Sequence, residues 1–214
     1  MNTIQPKLKV CGLTQLHQIQ ELISMNVDFL GFIFYEKSPR YVLNHLSSDE
    51  ISTISHQGKF GVFVNESVEK IIEIAEKTSL NFIQLHGDES ENFIVKLRIK
   101  LNPKIGIIKV LRIGKQSYNE LQKTINQQLK TSNYFLFDTD SKAFGGTGKQ
   151  FDWHMLNEIE IPLPYFLSGG ISEENIKDLA LLNQQPFALD INSKFESQAG
   201  IKDIHKIKKF HEKL

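Results

Sequence analysis

An apolar, strand-like run recurs eight times along this chain, and no other feature constrains its fold as strongly. The runs are Leu8–Val10, Phe29–Phe34, Phe60–Val64, Phe82–Leu85, Ile105–Leu111, Tyr134–Phe137, Tyr165–Leu167 and Phe187–Ile191. Each is followed by residues with chemistry to offer: Cys11, Tyr35 with Arg40, Asn65, His86, Arg112, Asp138, Gly169 with Gly170, and Asn192 with Ser193. Polar groups gathered at one end of every strand point to an enzyme.

Helical patterns fill the intervals. Ser48-Asp-Glu50 precedes Ile51 and Ile54, Asn65-Glu-Ser67 precedes Val68, Ile71, Ile72 and Ala75, and Ser172-Glu-Glu174 precedes Ile176, Leu179 and Leu182. Each start supplies a capping side chain and early acids where free amides and the helix dipole favour them. The strands are apolar on both faces, as parallel strands covered by helices are. They begin about 20 to 30 residues apart, which fits crossover helices. Eight such units predict an α/β chain folded as one (β/α)8 barrel over residues 1–214, not an open doubly wound sheet. Residues far apart in sequence then converge on one rim.

Composition narrows the partners. The 25 basic residues balance 25 acidic ones, so no net field draws nucleic acid or an anionic membrane, and a small-molecule ligand is expected. No apolar run approaches the roughly 20 residues that span a bilayer, and Met1–Lys9 lacks the apolar stretch of a secretory signal. The single cysteine cannot close an internal disulfide, which suits the cytoplasm. The lysine-rich stretch Lys202–Lys213 is expected to be the solvated face of a last helix. A monomer is the default.

Several residues carry two readings. Cys11 is either a small buried hydrophobe or, at the rim near cations, a thiol able to act as a base. Asp138 ends an apolar run, a costly place for a carboxylate unless it is solvated, paired or used, and is preferred to Asp140 in the loop beyond. The segment Gly145-Gly-Thr-Gly-Lys149 fails as a Walker A loop, because Ala143 replaces the first glycine and Gln150 the Ser or Thr. It is expected to be a mobile loop closing over substrate, with Lys149 and Phe151 anchoring the next helix. The phosphate signal lies in Gly169-Gly170, leading into a helix start, and in Asn192-Ser193, since loops after strands seven and eight are the usual cradle of such barrels. Arg40, after Ser38-Pro39, is either a surface arginine or a fork for a carboxylate. His86 is either a satisfied strand-end histidine or a substrate contact, and no His or Cys stands at metal-ligand spacing from it.

In register, Lys9-Val-Cys-Gly-Leu-Thr14, Gly31-Phe-Ile-Phe34 with Ser38-Pro-Arg-Tyr-Val42, Gly61-Val-Phe-Val-Asn65, Gln84-Leu-His-Gly87, Phe137-Asp138, Gly145-Gly-Thr-Gly-Lys149 with Phe151-Asp-Trp153, and Leu167-Ser-Gly-Gly170 resemble the phosphoribosylanthranilate isomerases of tryptophan biosynthesis. The resemblance spans nearly the whole chain. It implies an Amadori rearrangement of a phosphosugar substrate without a cofactor or metal, with Asp138 as general acid and Cys11 as general base. It further implies Arg40 on the anthranilate carboxylate, Gln84, His86 and Asp190 near the substrate, and Gly169, Gly170, Asn192 and Ser193 at the phosphate. Asn192 departs from the serine more frequent there, and Ser168 from alanine.

The chemistry asks for the same types independently: ring opening needs a proton donor near the sugar oxygen, and C2 deprotonation a base on the carbon side. A glycan hydrolase would instead place two carboxylates about the scissile bond. The related barrel that rearranges an aminoaldose in histidine biosynthesis would carry Asp where Cys11 stands. A non-catalytic phosphosugar binder and a thiol-redox protein are the remaining alternatives, the last lacking a resolving cysteine.

Overall fold

The computed structural model describes residues 5–140 and 150–214. The Gly145–Lys149 segment expected to close over substrate, with the Lys149 anchor, lies outside the described residues. Strands β1 (Lys7–Cys11), β2 (Phe29–Ile33), β3 (Lys59–Phe63), β4 (Phe82–Leu85), β5 (Gly106–Ile113), β6 (Tyr134–Thr139), β7 (Tyr165–Leu167) and β8 (Ala188–Ile191) form a closed barrel in sequence order. Closure is made by β1 against β8, parallel, with Lys7 opposite Ala188 and Lys9 opposite Asp190.

Helices α1 (Leu16–Ser24), α2 (Ser48–Thr53), α3 (Val68–Lys77), α4 (Glu91–Lys100) and α5 (Tyr118–Gln128) join the first six strands, and α6 (Ile204–His211) follows β8. Helix α3 buries Val68, Ile71, Ile74 and Ala75, the stripe a 3.6-residue period lays against a sheet. Its cap is Ser67, as expected, whereas α2 is capped by Ser47, one residue before the predicted start, with Glu50 closing a capping box.

The last two crossovers differ from expectation. Trp153–Glu158 and Ile176–Leu181 are 3-10 turns, and the second has no side-chain cap, so Ser172-Glu-Glu174 does not open an α-helix. Their apolar spacing explains this. Trp153 with Leu156, and Ile176, Leu179 and Leu182, recur every three residues, the period of a 3-10 helix.

Strand parity sorts the core. Leu8, Val10, Leu30, Phe32, Ile83 and Leu85 belong to the layer between barrel and helices, while Phe29, Phe60, Ile108, Val110, Leu136 and Phe166 fill the barrel itself. The strands are thus not apolar on both faces throughout, because toward the C-terminal ends the inward positions become Lys9, Gln84, Asp138 and Asp190, all buried. Below them Phe166 meets Phe29 at 5.4 Å, Phe60 at 5.5 Å, Tyr134 at 5.6 Å and Phe187 at 5.7 Å between ring centroids. An antiparallel hairpin, β9 (Glu196–Gln198) and β10 (Ile201–Lys202), follows β8.

The aromatic plug yields a stability prediction. Phe166→Ala should lower the unfolding free energy by about 3–5 kcal/mol, through lost burial and a residual cavity. Chemical denaturation measures it, and a loss below about 1 kcal/mol would mean that the plug repacks freely.

Candidate active site

Cys11 closes β1, and its side chain lies against β2 where Gly31 stands. A Cβ there would come within 2.9 Å of the Cys11 Sγ and of its Cα, so the position requires glycine. The thiol is 5% exposed and lines a cavity of about 410 Å³ at the C-terminal ends of the strands. Asp138, near the end of β6, lines the same cavity. So do all the other residues singled out in the sequence as site candidates: Arg40, Gln84, His86, Asp190, and the loop residues Gly169, Gly170, Asn192 and Ser193.

Two of the strand-end residues do not join them. Asn65 turns back at φ 51° and accepts the Asp88 amide, and Arg112, in β5, pairs with Asp88 and borders a separate depression. Six of the eight strands thus bring their polar end residues to the cavity, and β3 contributes only Val62 and Val64. Among the described residues no cluster of His, Cys, Asp and Glu is arranged to hold a metal ion.

Beneath the cavity, inward-facing polar groups form one chain. Asp190 Oδ2 accepts from Lys9 Nζ at 2.9 Å, and the same ammonium donates to Gln84 Oε1 at 2.9 Å. Gln84 Nε2 stands 3.3 Å from His86 Nδ1, and His86 Nε2, buried and without a hydrogen bond to any described residue, stands 3.4 Å from Asp138 Oδ2. Asp138 Oδ1 accepts from the Thr139 amide at 2.8 Å. Asp190 Oδ1 is buried and has no hydrogen-bond partner among the described residues.

Lys9 has no exposed surface, and its burial opposes its charge, yet Asp190 and Cys11 outweigh that and hold its pKa up. Burial pushes the Asp190 carboxyl up while Lys9 pulls it back. Burial likewise pushes the Cys11 thiol above its ordinary value, opposed by Lys9 and Lys202.

A second ionic group closes the rim. Arg40 Nε lies 3.0 Å from each oxygen of Glu196, and its Nη2 donates to Glu196 Oε2 at 2.7 Å. Lys202 donates to Glu196 Oε1 at 2.7 Å and to Asn192 Oδ1 at 2.8 Å. Burial works against the Glu196 charge, but the two cations outweigh it and hold the carboxyl below the usual range. Lys202 is 3% exposed and so is not part of the solvated face expected for Lys202–Lys213; that expectation fits Lys208 and Lys209 on α6, which are exposed. Arg40 is no free surface arginine either: only its Nη1 carries no hydrogen bond to a described residue.

At the other end, Gly169 and Gly170 have φ of 82° and 74°, and their amides donate to no described residue. A Cβ at Gly169 would meet Thr139 Oγ1 at 2.5 Å and Asp138 Oδ1 at 3.2 Å. Paired with the Asn192-Ser193 turn, this gives a pocket end with backbone donors suited to an anion.

Three residues escaped the sequence reading: Lys9, Glu196 and Lys202. A signal existed for Lys9, since strand parity puts it on the same face as Cys11 two residues on. Glu196 and Lys202 sit on a short hairpin that carries no periodic pattern.

The sequence profile of the family described as N-(5'phosphoribosyl)anthranilate (PRA) isomerase matches residues 8–213. The N-(5'-phosphoribosyl)anthranilate isomerase of Parabacteroides distasonis is 36% identical over 97% of this chain and 92% of its own length. The crystal structure of phosphoribosyl anthranilate isomerase from Thermotoga maritima superposes with a TM-score of 0.79 at 30% identity, covering 98% of this chain and 100% of that one. A crystal structure of such an isomerase in complex with reduced 1-(o-carboxyphenylamino)-1-deoxyribulose 5-phosphate gives 0.74 at 29% identity, covering 97% of both chains.

Because Cys11 is the chain's only cysteine, alkylation reports on it alone. With iodoacetamide the rate should rise with pH and reach half its maximum above the ordinary thiol value of about 8.5. A midpoint at or below that value would mean that Lys9 and Lys202 outweigh burial.

Proposed function

The chain belongs to the N-(5'-phosphoribosyl)anthranilate isomerase family, and from that premise we propose how its residues divide the work. The reaction is the Amadori rearrangement of N-(5'-phosphoribosyl)anthranilate to 1-(2-carboxyphenylamino)-1-deoxyribulose 5-phosphate, in tryptophan biosynthesis. The observation that carries the assignment of roles is that Cys11 and Asp138, from β1 and β6, face one cavity whose far end is bounded by the loops after β7 and β8.

Asp138 donates a proton to the ribose ring oxygen as the bond from C1 to that oxygen breaks, which gives the open-chain iminium. Cys11, as thiolate, takes the proton from C2, and the C2 electrons move toward C1 to form the enolamine. Proton transfer from the C2 hydroxyl to C1 then gives the ketone. Lys9 and Lys202 favour the thiolate that burial disfavours, so turnover should rise with pH as Cys11 ionises.

Arg40 holds the anthranilate carboxylate through Nη1, its other edge being fixed on Glu196. Gly169, Gly170, Asn192 and Ser193 bind the phosphate, the glycine amides supplying donors. Gln84, His86 and Asp190 line the sugar between them. Residues 1–214 act as one catalytic domain, and every assigned residue comes from one chain, which suits a working monomer. No described helix is long and apolar enough to cross a membrane, and the lone thiol suits the cytoplasm.

Two measurements test the assignment. Cys11→Ala and Asp138→Asn should each cut turnover by about 10²–10⁴-fold, followed by anthranilate fluorescence. Affinity for the reduced product analogue should stay within about tenfold, ~1.4 kcal/mol. Retained turnover would move the chemistry to other residues, and conversion of the histidine-pathway aminoaldose alone would overturn the substrate. Arg40→Gln should weaken analogue binding about ten- to hundredfold, the worth of a charged hydrogen bond. An analogue lacking the aryl carboxylate should lose nothing; an equal loss for both would place Arg40 elsewhere.

A further inference from the structure

The chain of groups under the cavity has a direction, and one residue sets it. Lys9 carries three donors and no acceptor. Gln84 therefore turns Oε1 toward Lys9, at 2.9 Å, and that commits its amide nitrogen to the other side, 3.3 Å from His86 Nδ1. An amide nitrogen only donates, so Nδ1 accepts, and the proton of a neutral imidazole then sits on Nε2. Nε2 is the nitrogen 3.4 Å from Asp138 Oδ2.

We propose that Lys9 is a positioning residue: through Gln84 it fixes His86 as the Nε2–H tautomer, whose N–H edge then lies 3.4 Å from the Asp138 carboxyl. The proposal rests on the reading of Asp138 as the acid of the isomerisation and adds to it a group that none of the catalytic roles requires.

The burial pattern supports a role beyond packing. Lys9 has no exposed surface, and Gln84 is 1% exposed, so water does not compete for either end of their bond. Asp190 is the counter-ion that makes a buried ammonium tolerable, and its pairing leaves Lys9 a donor still free for Gln84. The charged and titratable groups about the relay are Asp190 on β8, Cys11 on β1, His86 after β4 and Asp138 on β6, and Asp190 senses Lys9, Asp138 and His86 alike.

The consequence falls on Asp138. Its Oδ1 already accepts from the Thr139 amide, and an Nε2–H 3.4 Å from Oδ2 puts the positive end of that dipole on the protein side of the carboxyl. The acid's proton is left on the side facing the sugar, and the carboxylate formed after transfer keeps the Thr139 amide as donor with the imidazole N–H dipole close by. With the opposite tautomer, an imidazole lone pair would face Asp138 and compete for the proton meant for substrate.

Nitrogen-15 NMR of histidine-labelled protein at about pH 8.5, where ordinary histidines are neutral, reads the tautomer directly. The His86 signals are assigned by their loss in His86→Gln. In the unaltered protein Nε2 should carry the proton and Nδ1 should show the shift of an unprotonated ring nitrogen; the reverse overturns the proposal without any variant. Lys9→Met and Lys9→Gln, which free Gln84 to turn over, should bring in the Nδ1–H form and lower kcat at least about tenfold. A folded Lys9 variant with the tautomer unchanged overturns the proposal, whatever its activity. Should neither variant fold, Gln84→Met breaks the same chain at the next link and must give the same mixed tautomer. The spectra need no substrate, so an inactive protein with the expected tautomer would count against the assigned reaction and not against the relay.

Discussion

Closing a sheet on itself gives every strand an inside, and that inside is too narrow to be treated as ordinary core. Every second residue enters it, and each level must be filled without voids or uncompensated charge. At the lower levels this chain fills it with rings, Phe29, Phe60 and Phe166 among them. One level up, the same parity delivers Lys9, Gln84, Asp138 and Asp190. The division between a packed plug and a reactive cup is therefore a division along each strand, made by sequence positions two apart. Outward residues take no part, and Leu8 and Val10 could be exchanged for other aliphatic residues without the cup registering it, provided volume is kept.

Four lysines are buried among the described residues, and the ways they are accommodated differ. Lys109 has a dedicated carboxylate, Glu89, and a carbonyl, Gly87 O. Among the described residues Lys59 has only carbonyls, Ile51 O at 3.2 Å and Ser52 O at 3.4 Å, and burial pulls its pKa down. Both serve the scaffold. Lys9 and Lys202 are tied to side chains that line the cavity, and each shares its anion's neighbourhood with Cys11. A buried ion pair is seldom the most stable way to fill space. Finding two of them around one thiol shows stability yielding to the arrangement of charge.

The barrel and most of its rim were legible in the sequence for a physical reason: apolar runs mark strands directly, and a parallel barrel sends all their C-terminal ends to one side. Cys11, Asp138 and the Gly169-Gly170 turn were found by that rule alone. What stayed hidden obeys contacts that no local pattern encodes. Lys9 looks like a surface residue until the barrel closes over it. Arg40 looks like a free fork until Glu196, 156 residues away, takes one edge. Ser172-Glu-Glu174 looks like a helix start, but three-residue apolar spacing wins over capping chemistry. Asn65 and Arg112 met the strand-end rule and still turned to Asp88, because the rule gives the end of a strand and not the direction of a long side chain.

The pairing of β1 with β8 ties the start of the chain to its end, and the charges follow the same path: Lys9 waits for Asp190, and Arg40 waits for Glu196 and Lys202. A ribosome delivers these groups in order, thiol first and counter-charges last. Through most of its synthesis the nascent polypeptide thus holds a lysine that has no anion to be buried with, so the first strand stays hydrated and the cup unformed. Competence arrives late and all at once, and a product truncated before β8 would be an incomplete barrel with an unguarded thiol.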